Sequence, residues 1–376
     1  MVAIFNELLN ASGLANASYK ELLMVLIALG FIYLAVVKKI EPFLLLPLSF
    51  GILLANLPQS ELMNAPSGQE IGGILYYLYQ GIQLGIYPPL IFICLGASTD
   101  FSSLIANPKT LFLGGAAQVG IFFAFFGSLL LGMTPQEASS VAIIGGADGP
   151  TTIFITSRLA IHLLPAVALA AYSYMALIPI IQPPIMRFLT TKKERQVEMK
   201  QLRVVTQKEK ILFPIVVTLF VGLVIPSAIT LIGMLMIGNL IREVKELKKL
   251  AEVLQNELLY LLTLLIGLTV GASATAETFL TKSTLLITVM GLVSFIASTA
   301  FGVLMGKVMC KLTKQQVNPL IGAAGVSAMP MAARVVQREG NKYNSNNYLL
   351  PHALGPNVAG IIATAIVAGI FLSIFG

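Results

Sequence analysis

Residues 144–152 read Ile-Gly-Gly-Ala-Asp-Gly-Pro-Thr-Thr, and apolar sequence flanks them on both sides. Asp148 is one of two aspartates in the 376 residues, the other being Asp100. An ionisable group at membrane depth is costly and usually lines a polar path or a binding site. Gly149-Pro150 cannot continue a regular helix, because proline lacks the N–H donor and clashes with the preceding turn. The stretch therefore predicts a broken membrane helix with a carboxylate at the break.

The Asp148 carboxylate fits two different environments. In a cation site, it and the carbonyls freed by the break would supply oxygen ligands, as unwound helices do in transporters. In the alternative, the helix is only kinked and the acid pairs with an arginine. A hard cation such as sodium prefers oxygen ligands, and Thr151 and Thr152 add hydroxyls nearby. Asp148 is thus the main sodium-binding candidate, with Thr151 as a further ligand.

The composition is that of an all-α polytopic membrane protein. Mean hydropathy is +0.86, with 56% hydrophobic and only 11% charged residues, whereas soluble domains carry about 25% charged residues. Uncharged runs exceed the ~20 residues of a spanning helix and lack the alternation of a membrane barrel. We predict about 11 spans, which cover residues 21–37, 42–58, 84–99, 110–132, 138–160, 163–187, 211–241 (as one or two), 257–276, 284–306, 316–337 and 348–375.

Matching segments divide the chain into two similar halves. The matches run in the same order, namely Gly51–Asn56 with Met234–Asn239, Leu95–Ser98 with Val270–Ser273, Ile144–Ala147 with Ile321–Ala324, and Leu163–Pro165 with Leu349–Pro351. The alternative is chance similarity among small residues. Repeated halves with matching helix breaks are typical of alternating-access transporters. We predict an N-terminal segment 1–20, a first half 21–190, a basic cytoplasmic loop 191–210 and a second half 211–376, with the halves inverted and their discontinuous helices meeting at mid-membrane.

The second break is predicted at Asn318–Pro330. Asn318 and Ser327 offer neutral oxygen ligands, and Gly322 allows close helix approach. Arg334 follows Ser327 by seven residues, which on a continuous helix would place both on nearly one face.

The positive charge is concentrated in residues 192–210 and 242–252, which are expected on the cytoplasmic side. These loops are either a topology signal alone or a docking surface for an acidic soluble partner; nothing supports nucleic-acid binding. The predicted spans do not place Lys38-Lys39 and the 192–210 loop on the same side of the membrane. Both are cytoplasmic only if one intervening segment is re-entrant, or if the short apolar segment Ile71–Gln80 belongs to an extra crossing.

The cysteines and histidines are isolated in the sequence and form no metal-ligand spacing.

Three further polar residues lie in or near predicted spans, and each has a structural alternative. Asn357 follows Pro356 and is either an ion ligand or a helix-capping amide. Tyr174 is either near the site or makes a helix–helix hydrogen bond. Arg334 either captures an anionic carboxylate through paired hydrogen bonds, or reaches the headgroups, pairs with Asp148 or only signals topology.

Three motifs strongly resemble one family, the β subunits of biotin-dependent, sodium-pumping decarboxylases acting on oxaloacetate, methylmalonyl-CoA, glutaconyl-CoA or malonate. They are Gly145-Gly-Ala-Asp-Gly-Pro-Thr151, Asn318-Pro-Leu-Ile-Gly-Ala-Ala-Gly-Val-Ser-Ala-Met-Pro-Met-Ala-Ala-Arg334 and Gly355-Pro-Asn-Val-Ala-Gly360. The resemblance runs from about residue 20 to the C-terminus, and the chain is shorter than oxaloacetate-type subunits, which favours an acyl-CoA system.

The resemblance implies a multi-pass subunit of the bacterial or archaeal cytoplasmic membrane that decarboxylates carboxybiotin and exports sodium with proton uptake. No biotin would be attached to this chain. The implied partners are a soluble carboxyltransferase, a biotin carrier protein, a small membrane-anchor subunit and further copies of the chain in a homo-oligomer. By motif position, the ion site falls on Asp148, Asn357, Asn318, Gly322 and Ser327, whereas Arg334 would bind carboxybiotin.

Among the site residues, Tyr174 or Ser327 is expected as the proton relay, and Ser327 is also expected near Arg334, where the carboxylate would be held. The runner-up function is a stand-alone secondary carrier, such as a sodium/proton exchanger, with the same broken-helix site. An aspartyl intramembrane protease would need two facing buried acids, which Asp100 at a span end does not supply.

Overall fold

The computed structural model of the chain describes residues 17–39 and 41–376, so residues 1–16 of the predicted N-terminal segment lie outside the described part. Within that part the chain is helical, with no strand beyond one isolated bridge between Ser67 and Glu70. The prediction of an all-α protein is confirmed.

The helices of the first part of the chain are α1 (Tyr19–Val36), α2 (Pro42–Ala55), α3 (Ile74–Gln83), α4 (Tyr87–Ser98), α5 (Ser102–Ala106), α6 (Leu111–Ala117), α7 (Val119–Leu130), α8 (Pro135–Ala142), α9 (Gly149–Leu159) and α10 (Leu164–Leu189). Those of the remainder are α11 (Lys192–Arg195), α12 (Gln207–Val224), α13 (Ile229–Glu243), α14 (Lys248–Val253), α15 (Leu259–Ser273), α16 (Ala276–Phe279), α17 (Lys282–Leu312), α18 (Met331–Asn341) and α19 (Leu350–Phe375). A π-helical turn, Leu254–Leu258, joins α14 to α15.

Five helices of the described residues are long and apolar enough to cross a membrane, or up to seven when each bent pair is one span. One bent pair is α3 with α4, which meet at 69°. The predicted short apolar segment Ile71–Gln80 thus overlaps the first helix of a bent pair, which is either a broken span or a re-entrant loop. The predicted number of about 11 spans stays a prediction.

Two helix pairs cross in a reciprocal pattern. α2 packs on α15, and α4 packs on α13. Glycines make both close approaches possible, because a Cβ added at Gly96 would overlap the Leu235 carbonyl and one at Gly271 would overlap the Leu48 carbonyl. Each pair also carries one asparagine cap: Asn56 donates to the Ala274 carbonyl at 2.8 Å, and Asn239 donates to the Thr99 carbonyl at 2.9 Å.

The first break is the tip of a helical hairpin. α8 leads through a 3-10 turn, Ile143–Gly146, to Asp148, and α9 leads back. Glu137 Oε1 in α8 lies 3.0 Å from His162 Nε2 beyond α9, although a continuous helix would separate them by about 37 Å. The chain therefore reverses within the segment that we predicted as one span, 138–160, because Ala147 and Gly149-Pro150 interrupt the helix.

The second break belongs to a hairpin of the same kind. The 3-10 segment Pro319–Gly325 leads inward and α18 leads back. Asn318 and Asn347, which flank this hairpin, both donate an amide hydrogen to the Val197 carbonyl, at 2.9 and 2.6 Å. The predicted span 316–337 therefore also begins and ends at one side of the bundle.

The loop 191–210 is anchored to this second hairpin. Arg195 is only 8% exposed and donates to Tyr343 Oη at 2.6 Å. Arg187, at the end of α10, forms a paired salt bridge with the buried carboxylate of Glu339, at 2.6 and 2.8 Å. These contacts fix the end of α18 against the basic loop.

Candidate functional site

The tips of the two hairpins touch inside the bundle. The Ser327 N–H donates to the Gly146 carbonyl at 2.8 Å. Ala147 follows with φ 53°, in the left-handed region that non-glycine residues rarely adopt. This turn releases Asp148 from the 3-10 segment and allows it to cap α9.

Asp148 is buried, with 4% of its surface exposed, and only one of its two carboxylate oxygens has a protein partner. Oδ1 accepts the Thr151 N–H at 3.1 Å, whereas Oδ2 is buried without a hydrogen bond. No salt bridge to Asp148 occurs within the described residues. The alternative in which Asp148 pairs with an arginine therefore finds no partner there.

A cavity of about 170 Å³ adjoins Asp148. Its polar lining includes Asp148, Ser327, Thr263 and Glu41, and most of the remaining surface is apolar. Glu41 precedes α2 and lies on the side of the bundle where that helix begins. The cavity therefore runs from this side towards the break.

Asn357 brings α19 to the second break. Its Nδ2 donates to the carbonyls of Ala324 at 3.2 Å and Val326 at 2.7 Å, so the amide does cap broken backbone. Its Oδ1 remains buried and without a partner, as does the Thr151 hydroxyl. Asp148 Oδ2, Thr151 Oγ1 and Asn357 Oδ1 are thus three buried oxygens without hydrogen-bond partners, and oxygen is the type of ligand that sodium prefers. Of the three residues, only Asp148 lines the cavity.

Two predicted ion ligands lie elsewhere. Asn318 donates to the carbonyls of Arg195 and Val197, both at 2.9 Å, and accepts the Leu320 N–H, so it fastens the basic loop to the hairpin. The Gly322 carbonyl lies against Gly302 of α17. Neither residue offers an unpaired buried side-chain oxygen near Asp148, and neither lines the cavity beside it.

Tyr172, and not the predicted Tyr174, lines the cavity beside Asp148. Its ring covers Gly149, where an added Cβ would overlap it. Tyr174 instead donates to the Thr288 carbonyl of α17, which is the helix–helix hydrogen bond that we kept as its alternative. Residues two apart on a helix face different directions, so the two tyrosines were not expected to share a face, but their spacing does not tell which one faces the cavity.

The shared face predicted for Ser327 and Arg334 is wrong. α18 begins at Met331, so Ser327 lies outside the helix and seven residues do not make two helical turns. Arg334 is exposed, and its side chain makes no hydrogen bond or ion pair with the described residues. It does not line the Asp148 cavity.

Comparison with known proteins gives consistent matches along the chain. A family model described as Na+-transporting oxaloacetate decarboxylase beta subunit matches residues 20–375. Methylmalonyl-CoA decarboxylase subunit beta of Propionigenium modestum is 52% identical over 100% of both chains. Glutaconyl-CoA decarboxylase subunit beta of Acidaminococcus fermentans is 49% identical, over 100% of this chain and 98% of the relative.

Oxaloacetate decarboxylase beta chain of Klebsiella pneumoniae is 43% identical over 98% of both chains. The family resemblance seen in the motifs at Asp148, Ser327 and Asn357 is confirmed. The chain belongs to the family of Na+-transporting oxaloacetate decarboxylase beta subunits.

Proposed function

We propose that Asp148, Thr151 and Asn357 bind the sodium ion that this decarboxylase β subunit transports. The observation that carries the proposal is the set of three buried oxygens without hydrogen-bond partners. Buried polar atoms are usually paired. Ten buried side-chain atoms of the described residues are not, and these three belong to residues at the two helix breaks, where a bound cation would satisfy them. Family membership favours this pump over the stand-alone carrier that we kept as the runner-up.

The coupling follows from the charge of Asp148. Sodium neutralises the carboxylate, which lowers the cost of moving the loaded site through a medium of low dielectric constant. A proton replaces sodium on the outer side and is consumed when carboxybiotin, an anionic carbamate, loses CO2. Since Tyr172 lines the cavity and Tyr174 does not, we propose the Tyr172 hydroxyl as the tyrosine relay for this proton.

Arg334 is the proposed binding group for the carboxybiotin carboxylate. Its guanidinium is exposed and unpaired among the described residues, and guanidinium holds a carboxylate by paired hydrogen bonds that an ammonium cannot form. Arg334→Lys is therefore expected to lower turnover about tenfold, the loss of one charge-assisted hydrogen bond. Turnover is measured as CO2 release by the purified complex with its carboxylated biotin carrier.

Arg338→Lys, an exposed arginine one turn further along α18, is the matched control and should retain turnover. Co-purification of the biotinylated partner shows that each variant complex has assembled. If Arg334→Lys instead changes sodium affinity and leaves turnover normal, Arg334 acts at the ion site and does not bind the substrate.

For the membrane topology, we propose two inverted halves, 21–190 and 211–376, each with one re-entrant hairpin. The reciprocal packing of α2 on α15 and of α4 on α13 supports a two-fold relation between the halves, because such an axis exchanges the two pairs, and we propose that the axis lies in the membrane plane, as in transporters with inverted repeats. A first hairpin that re-enters allows Lys38-Lys39 and the loop 191–210 to share the cytoplasmic side, as the positive-inside rule requires.

Cysteine labelling tests the first hairpin. Met133→Cys and Ile161→Cys, which flank α8 and α9, should both react with a membrane-impermeant maleimide in whole cells. Lys192→Cys should react only after permeabilisation, because it lies in the basic loop. The native Cys94 and Cys310 are buried and provide an unreactive background. Labelling of residues 133 and 161 from opposite sides would contradict re-entry.

The proposed partners are a soluble carboxyltransferase, a biotin carrier protein, a small membrane-anchor subunit and further copies of this chain, in a bacterial or archaeal cytoplasmic membrane. The β-subunit family itself implies partner subunits and a membrane. We propose an acyl-CoA as the upstream substrate. The methylmalonyl-CoA and glutaconyl-CoA relatives are 49–52% identical, whereas the oxaloacetate relatives are 43–44% identical and align over 417–423 positions.

A further inference from the structure

A chain of buried side-chain hydrogen bonds leads from Ser327 into the first half of the protein. The Ser327 hydroxyl lies 2.7 Å from the Thr364 hydroxyl, which lies 3.0 Å from Gln118 Oε1. Gln118 Nε2 then donates to the Gly114 carbonyl at 2.9 Å. Ser327, Thr364 and Gln118 are 6%, 0% and 4% exposed, so water does not compete for these bonds.

The Gly114 carbonyl, at the end of this series of hydrogen bonds, determines which group donates in each bond. The Gly114 carbonyl only accepts, so the Gln118 amide must present nitrogen to it; the flipped amide would place two acceptors face to face. Gln118 Oε1 is then an acceptor for the single Thr364 hydroxyl proton. Thr364 Oγ1 can therefore only accept from Ser327, and Ser327 uses its own single proton in this bond.

Ser327 consequently presents only lone pairs to its remaining neighbours. Ser327 lines the cavity beside Asp148, and its backbone N–H donates to the Gly146 carbonyl. Thr364 also lies against the first break, because a Cβ added at Gly146 would come within 2.8 Å of Thr364 Oγ1. Thr364 thus contacts both hairpin tips, and its hydroxyl bonds to Ser327 at the second.

We propose that Gln118 and Thr364 are positioning residues that hold Ser327 as a hydrogen-bond acceptor, so that Ser327 serves as a sodium ligand and not as a proton relay. This inference rests on the proposed sodium site. It resolves the two roles that the sequence left open for Ser327, and it leaves the Tyr172 hydroxyl as the proposed relay at the cavity.

Substitutions at Thr364 test the inference, since valine has the shape of threonine but no hydroxyl. Thr364→Val should weaken sodium affinity about tenfold, the effect of losing one ordering hydrogen bond, whereas Thr364→Ser should stay near wild type. Turnover at saturating sodium should remain unchanged in both variants. Affinity is measured as the sodium-dependent shift in melting temperature of the purified chain, with choline chloride replacing sodium chloride at constant ionic strength.

Thr269→Val is the matched control, because the Thr269 hydroxyl is buried and donates only within its own helix. It should leave sodium affinity unchanged. Wild-type affinity in Thr364→Val, or equal losses in the valine and serine variants, would overturn the inference. Lower turnover at saturating sodium with normal affinity would also overturn it, because Ser327 would then act in proton transfer. If instead Asp148→Asn retains the sodium-dependent shift, the sodium site itself is wrong.

Discussion

Asp148→Asn should reduce sodium-dependent decarboxylation by about 100-fold or more, since removing one charge from a buried polar site costs about 3 kcal/mol or more. Asparagine keeps the size of the side chain and its cap on α9, and it removes the negative charge that balances sodium. It also removes the group that we propose exchanges sodium for a proton. The measurement is CO2 release and sodium uptake by vesicles that contain the purified complex.

Asp100→Asn is the control for this experiment, because Asp100 is the other aspartate of the chain. Partial burial raises the pKa of Asp100, but hydrogen bonds from Ser102 and the charges of Arg242 and Lys210 lower it overall. It is an ionised carboxylate at a helix end, outside the Asp148 cavity, and its variant should keep sodium dependence. Near wild-type sodium-dependent activity in Asp148→Asn would refute the proposed ion site.

Gly96→Ala and Gly271→Ala should each destabilise the protein by about 1–3 kcal/mol, the usual cost of overpacking. In both cases the added methyl group would overlap a carbonyl oxygen of the facing helix, Leu235 or Leu48. Because the two sites occupy corresponding places in the crossed pairs, their effects should be similar. The loss is measured as the melting temperature of the detergent-purified chain.

Gly30→Ala and Gly115→Ala are the matched controls. Nothing lies within 4 Å of a Cβ added at either helical glycine, and alanine is favoured over glycine in helices by about 1 kcal/mol. These variants should therefore be equally stable or more stable. Equal behaviour of all four variants would contradict the close backbone contact in both crossed pairs.

The sequence alone predicts those site residues whose side-chain type is unusual in their local sequence. Asp148 is a lone acid beside Gly-Pro in apolar sequence, and Asn357 follows a proline within a span. The choice between Tyr172 and Tyr174 could not be made in this way, because both lie in one apolar helix and neighbouring helices determine which ring faces the cavity. Gln118 and Thr364 were missed altogether, since their partners are far away in sequence.

Composition and the placement of glycine and proline determined from sequence alone that this is a helical membrane protein with interrupted helices, because hydropathy and helix breaking are local properties. The motifs also determined its family. Only the tertiary structure showed that the interrupted segments reverse direction as hairpins. It also showed that Asn318 bonds to the basic loop 191–210 and that Ser327 and Arg334 do not share a helix face. Helical periodicity predicts direction only along an unbroken helix, and each break at this site resets that direction through contacts with distant residues.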